Sequence, residues 1–262
     1  MTTHQPTPID NLSAPVKFAL SLGVNIAITV TVWWLSVRGQ SSPQYEIAAI
    51  LIVVLAELWP TRDTPSWKLL KPKSPQIVMG IAAALIIALL PKLASQVAVA
   101  VLYLIWRQFE SKWRYDGRGG LLKLLVVQIT LLEACFLLAA IWRAPAVLVM
   151  ILVWAAGTTT VWQALIKRSE PSAGILATSW GIILAELSWI FLVWLVSYIV
   201  PGNYLIVPQP VLVLSAVAYC CGSIYLAQRR GQLNKSRLTE YLLVGLILIW
   251  IIIAWTPWRG TL

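Results

Sequence analysis

The sequence predicts an all-α protein, a polytopic bundle of transmembrane helices. Three observations predict it. The 262-residue chain is 59% hydrophobic and only 11% charged, against about 25% charged residues in a soluble domain. Apolar runs long enough to approach a bilayer crossing recur from end to end. The basic residues collect in alternate short loops between those runs, as topology determinants do. Lipid-exposed backbone must satisfy its own hydrogen bonds, and no period-two alternation suggests a barrel, so the runs are read as helices.

Nine apolar segments can be marked, at about 16–37, 45–59, 75–90, 93–109, 121–142, 145–166, 173–200, 205–227 and 241–255. They divide the chain into a polar cytoplasmic tail (1–15), one transmembrane domain (16–258) and a short external tail (259–262). The tail has no basic n-region, and no small-x-small site precedes Arg38. The first segment is therefore expected to be a retained helix rather than a cleaved signal.

Segment 1 carries Ser21, Asn25 and Thr29 on one helical face. Segment 2 begins near Glu46, expected to be solvated at the outer surface. It ends near Glu57, expected to reach the interface or to pair with Arg62 or Lys68. Segments 3 and 4 have about sixteen residues each and are joined by Pro91 and Lys92. Sixteen residues reach about 24 Å, short of a hydrocarbon core of roughly 30 Å. They form either two thin crossings or a re-entrant hairpin, giving nine spans or seven. The stretch 67–73 before them reads as a basic turn on the membrane surface.

Segment 5 places Glu133 near its middle, with Thr130 one turn away and Gln128 on another face. Segment 6 carries Thr158, Thr159, Thr160 and Gln163. On segment 7, read as one long helix, Ser179, Glu186 and Ser197 share a face. Segment 8 carries Ser215, Tyr219 and Ser223. Such stripes are expected to face the bundle interior, where helix–helix hydrogen bonds average about 0.6 kcal/mol.

Orientation follows from the loops. Arg62, Lys68, Lys71 and Lys73 lie between segments 2 and 3. Lys112, Arg114 and Arg118 lie between 4 and 5, Lys167 and Arg168 between 6 and 7, and Arg229, Arg230, Lys235 and Arg237 between 8 and 9. The alternate loops carry only Arg38, Lys92 and Arg143. The rich loops are expected in the cytoplasm, with the N-terminus inside and the C-terminus outside. The net charge of +10 then belongs to an anionic leaflet rather than to nucleic acid.

Fifteen tryptophans are present. Trp33, Trp34, Trp59, Trp106, Trp142, Trp162, Trp255 and Trp258 fall near segment ends, as in an interfacial aromatic belt. Trp154, Trp180, Trp189, Trp194 and Trp250 lie deeper and read as packing or lipid-facing bulk. The cysteines Cys135, Cys220 and Cys221 form no CxxC and have no histidine partner, since His4 is the single histidine. They read as packing residues, with no metal and no cofactor expected. No nucleotide-binding or hydrolase motif is present. The aspartates Asp10, Asp63 and Asp116 lie in the tail or loops. Enzymatic activity is the least supported class.

The sharpest feature is the pair Glu133 and Glu186, each inside an apolar run with no basic residue within a helical turn. A carboxylate at midspan costs about 2.5 kcal/mol or more and marks a functional-site hypothesis. Both segments run the same way, so the two carboxyls are expected to lie at similar depth and to be able to meet. The candidate coupling or substrate residues are Glu133, Glu186, Thr130, Ser179 and Asn25, with Glu57 secondary. They point to a small secondary transporter or permease coupled to protons or cations, in the cytoplasmic or plasma membrane if the source is prokaryotic. The alternative is a membrane scaffold or assembly subunit whose glutamates meet a partner protein. An enzyme on a lipid-linked substrate is the remote third reading. A short echo, residues 53–58 against 182–187, hints at inverted halves around segment 5.

Overall fold

Each apolar run folds as a helix, and the residues between runs set where it stops. The computed structural model describes residues 13–58, 66–110, 117–167, 169–193, 195–199 and 206–254. The described helices are α1 (Ala14–Gly39), α2 (Pro43–Leu58), α3 (Ser66–Leu89), α4 (Leu93–Phe109), α5 (Gly117–Trp142), α6 (Ala146–Lys167), α7 (Ala173–Val193), α8 (Gln209–Arg229) and α9 (Lys235–Ala254). Between α7 and α8, β1 (Ser197–Ile199) pairs antiparallel with β2 (Ile206–Pro208), Tyr198 opposite Val207. Six of these helices are long and apolar enough to cross a membrane: α1, α5, α6, α7, α8 and α9. Arg62, Arg114, Asp116, Trp59, Trp194, Trp255 and Trp258 lie outside the described residues, as do residues 1–12.

Three helix ends use left-handed backbone. Arg143 (φ 51°) closes α5, and Ser169 (φ 55°) follows α6. Gly231 (φ 63°) ends α8. In each case the next residue's N–H reaches back to a carbonyl of the last turn: Ala144 to Leu138 at 3.2 Å, Glu170 to Leu165 at 3.1 Å, Gln232 to Ala227 at 3.0 Å. This is the usual way a helix satisfies its terminal carbonyls. Helix α9 starts earlier than hydropathy suggests, because Asn234 Oδ1 accepts the Arg237 N–H at 2.8 Å and caps it.

Two expectations about length are corrected. The single helix expected over 173–200 stops at Val193, and Ser197 belongs to β1. Ser197 therefore shares no helical face with Glu186. Residues 195–208 are as apolar as a helix, but Pro201, Gly202 and Asn203 are turn formers between two short β-branched and aromatic stretches. Segment 3 is longer than expected. Helix α3 has 24 residues, about 36 Å at 1.5 Å per residue, and it includes the basic stretch expected as a surface turn.

Helix α3 is the hub. It packs against α1, α2, α4, α5 and α6, and Ala84, Ile87 and, just past its end, Leu90 are fully buried. One apolar core joins α3 to α5 through Met79, Ile86, Leu90, Val127, Leu131 and Leu137. A second joins α5 to α6, α7 and α8 through Leu132, Phe136, Val153, Leu184 and Leu214. Helices α6 and α7 cross most closely. A Cβ on Gly181 would stand 2.7 Å from the Trp154 carbonyl oxygen, so only glycine permits that approach.

The crossing decides which face of α7 points inward. Ala177, Gly181, Leu184, Ala185 and Ser188 are buried, while Ser179 and Glu186 are exposed. The expectation that this polar stripe faces the interior is corrected: close packing selects the small residues. Ser21 and Tyr219 are exposed as well, whereas Thr29, Gln163 and Ser223 are buried.

Side chains tie the turns together at each end. Gln40 Nε2 and Gln96 Nε2 both donate to the Leu90 carbonyl at 2.8 Å, joining the α1–α2 and α3–α4 turns. At the basic-loop end, the Glu170 carboxylate accepts from Tyr225 at 2.7 Å and from Arg229 at 3.0 Å, joining the α6–α7 turn to α8. Helix α9 packs on α8, and the Tyr198 hydroxyl donates to the Ile252 carbonyl at 2.6 Å. The inverted-halves expectation does not survive in the packing: α4 packs on α1 and α3, whereas α9 lies on α8 with Gly245 its one buried residue.

Candidate functional site

Helix α4 carries Tyr103 and Arg107, and Glu110 caps it in helical backbone, so the i, i+4 and i+7 positions project from one face. That face meets α1, α2, α3 and α5. Arg107 Nη1 lies 2.6 Å from Glu57 Oε1 on α2. Its Nε donates to Asn25 Oδ1 on α1 at 3.3 Å, and its Nη1 to the Tyr103 hydroxyl at 3.2 Å. Asn25 Nδ2 donates to Gln108 Oε1 at 2.9 Å. Glu110 accepts from Gln76 Nε2 on α3 at 2.7 Å and pairs with Lys123 Nζ on α5 at 2.9 Å. Lys123 also donates to the Glu110 carbonyl at 2.9 Å and lies 6.0 Å from the centre of the Trp106 ring.

The network is inside the protein. Lys123 is 2% exposed and Glu110 is 9% exposed. Among the described residues, two cations face two carboxylates. Removing one member of a buried pair costs about 3–5 kcal/mol, because the other charge is stranded. Asn25, Glu57, Gln76, Tyr103, Trp106, Arg107 and Glu110 enclose a polar cavity of about 80 Å³.

A larger cavity of about 550 Å³ adjoins it, sharing Tyr103, Trp106 and Glu110. Its wall comes from α3 (Met79, Ala83, Ile86), α4, α5 (Val126, Ile129, Thr130, Glu133) and the β2–α8 junction (Val207, Val211, Leu212). Leu102, Ile105, Phe109 and Ile129 on its rim are exposed, so it opens sideways on the bundle surface. Most of the wall is apolar. Glu133 is the exception deepest along its helix: its Oε1 is buried and has no hydrogen-bond partner among the described residues. Thr130 stands on the same wall and bonds back to the Val126 carbonyl at 2.9 Å.

The structure brings Glu133 and Thr130 together at one cavity, and Asn25 with Glu57 at its polar neighbour. It does not bring in Ser179 or Glu186. Glu186 is exposed on α7, in an open groove with Val147, Met150, Ile151, Trp189 and Ile190. The two carboxyls singled out in the sequence line different surfaces and do not face one another. Gln128 lies on another side of α5, in a cavity of about 190 Å³ that it shares with Trp180.

Glu57 pairs with Arg107, which α4 presents to the end of α2; Arg62 and the Lys68 side chain, its expected partners, lie outside the described residues. Two placements differ from expectation. Glu46, expected to be solvated, is 5% exposed, because the short α1–α2 turn folds it against Gly39. Trp106, expected in an interfacial belt, is 8% exposed between the two cavities. Arg107, Glu110 and Lys123 flank the loop between segments 4 and 5 in the sequence, and they are cluster residues that hydropathy does not mark. The i, i+4, i+7 spacing of Tyr103, Arg107 and Glu110 was the signal for a common face. Comparison of the chain with protein-family models, with curated proteins and with solved structures finds no match.

Proposed function

We propose that this protein is a small secondary transporter whose lateral cavity takes an amphipathic cation, with Glu133 as the proton-exchanging carboxyl. The observation that carries the reading is the buried, unpartnered Glu133 Oε1 in the wall of the 550 Å³ cavity. A carboxyl so placed binds either a proton or a cation, and competition between the two is the basis of coupled exchange. Tyr103, Trp106 and Phe109 line the same cavity and suit a cation held over aromatic faces. The sideways opening suits a solute that partitions into the bilayer. Arg107 and Lys123 are engaged by carboxylates, so they offer no open anion site. The basic loops lie in the cytoplasm in this reading, with the N-terminus inside and the C-terminus outside.

The test is uptake of tetraphenylphosphonium into proteoliposomes under an imposed pH gradient. Wild-type protein accumulates the cation against its gradient. Glu133→Gln abolishes pH-driven accumulation, and Glu133→Asp retains part of it. Equal accumulation by wild type and Glu133→Gln rejects Glu133 as the coupling group.

A further inference from the structure

The groove around Glu186 is independent of the transport cavity, and it poses a physical problem. Glu186 is residue fourteen of the 21-residue α7. At 1.5 Å per residue it stands about 10 Å from the Val193 end and about 20 Å from the Ala173 end. That is well inside a hydrocarbon core of roughly 30 Å. Its side chain is exposed and makes no hydrogen bond or ion pair with any described residue. Its neighbours in the groove are Val147, Met150, Ile151, Trp189 and Ile190. A carboxyl facing lipid at this depth is costly, and such groups ordinarily turn inward or find a partner.

Glu186 cannot turn inward. The inner face of α7 is closed by the α6 crossing, where Gly181 already admits no side chain and Leu184 and Ser188 are fully buried. The fold therefore holds the carboxyl outward in a shallow groove between two helices. We propose that this groove docks a transmembrane helix of another protein, one carrying a lysine or arginine at the depth of Glu186. The argument for that occupant is charge complementarity in a low-dielectric setting, where an unshielded carboxylate and a cation attract most strongly. The lining suits a helix as well: α6 and α7 both contribute, with Met150 an adaptable side chain and Trp189 a broad aromatic one. A second copy of this chain fits poorly, because its cations inside the bundle, Arg107 and Lys123, are held by Glu57 and Glu110 rather than presented on a lipid-facing surface.

The experiment uses the whole protein in lipid nanodiscs and two synthetic probes. One is a poly-leucine transmembrane peptide with a single lysine near its middle, and the other is the same peptide with leucine there. Binding is read by energy transfer from a donor on the protein to an acceptor on the peptide. The lysine peptide binds wild-type protein about tenfold more tightly than the leucine peptide. Glu186→Gln removes the difference, and Glu186→Asp, which keeps the charge, preserves it. Equal binding of the two peptides to wild type overturns the proposal, as does an undiminished preference in a folded Glu186→Gln. In a parallel arm, Ile190→Cys cross-links to a cysteine-bearing lysine peptide. Ile190→Cys cross-linking to itself in the presence of the peptide overturns it by showing that a second copy covers the groove.

Discussion

The Arg107 guanidinium lies 2.6 Å from the Glu57 carboxylate, joining the end of α4 to the end of α2 inside the protein. The same guanidinium reaches Asn25 on α1 and Tyr103 one turn back on α4. One cation thus organises three helices beside the large cavity.

Loss of that cation breaks a buried ion pair. Arg107→Met lowers stability by about 3 kcal/mol. Adding Glu57→Gln recovers part of the loss, because the carboxylate that faced Arg107 is gone. A double-mutant cycle on thermal unfolding in detergent measures this, and equal stabilities of the single and double variants contradict the coupling.

The α6–α7 crossing depends on Gly181. Gly181→Ala sets a methyl group 2.7 Å from the Trp154 carbonyl oxygen and costs about 1–3 kcal/mol through forced helix separation. Gly174, on the same helix, has nothing within 4 Å of a new Cβ. Gly174→Ala raises stability by about 0.5–1 kcal/mol. Unfolding temperatures of the two variants should move in opposite directions.

Arg143 holds a left-handed backbone at the end of α5, which costs a side-chain-bearing residue about 1–2 kcal/mol. Arg143→Gly relieves that strain and raises the unfolding temperature. An unchanged or lower temperature shows that the Arg143 side chain contributes as much as its backbone conformation costs.

The cavity can be filled without touching the ion network. Ala83 is 1% exposed and lies on the cavity wall. Ala83→Phe extends a ring into that space and reduces tetraphenylphosphonium uptake at least several-fold, with the unfolding temperature near that of wild type. Undiminished uptake in this variant places the transport path elsewhere.

Orientation is testable at the two tied ends. Ser41 and Gln232 are exposed in turns at opposite ends of the bundle. In a background with Cys135, Cys220 and Cys221 replaced, Ser41→Cys reacts with an impermeant maleimide added to intact cells, and Gln232→Cys reacts only after lysis. The reverse pattern inverts the topology.

The sequence by itself determined that this is a helical membrane-type chain and where most helices lie, because hydropathy and loop charge report directly on solvent. It also marked Glu133, since a carboxyl in an apolar run stands out without any structure. Helix faces were harder. The stripe of Ser179 and Glu186 was legible, yet its direction was not, because packing at Gly181 rather than polarity turns α7. The strand at Ser197 was hidden, since an apolar strand and an apolar helix share a composition. Only the tertiary structure joined Glu57 to Arg107 and Glu110 to Lys123. Those pairs link residues on different helices, and nothing local in the chain says which charges a bundle will bury together. It also separated Glu133 from Glu186, giving one a cavity and the other an open groove. Depth along a helix can be counted in residues, but the neighbour across the interface is fixed by how whole helices pack.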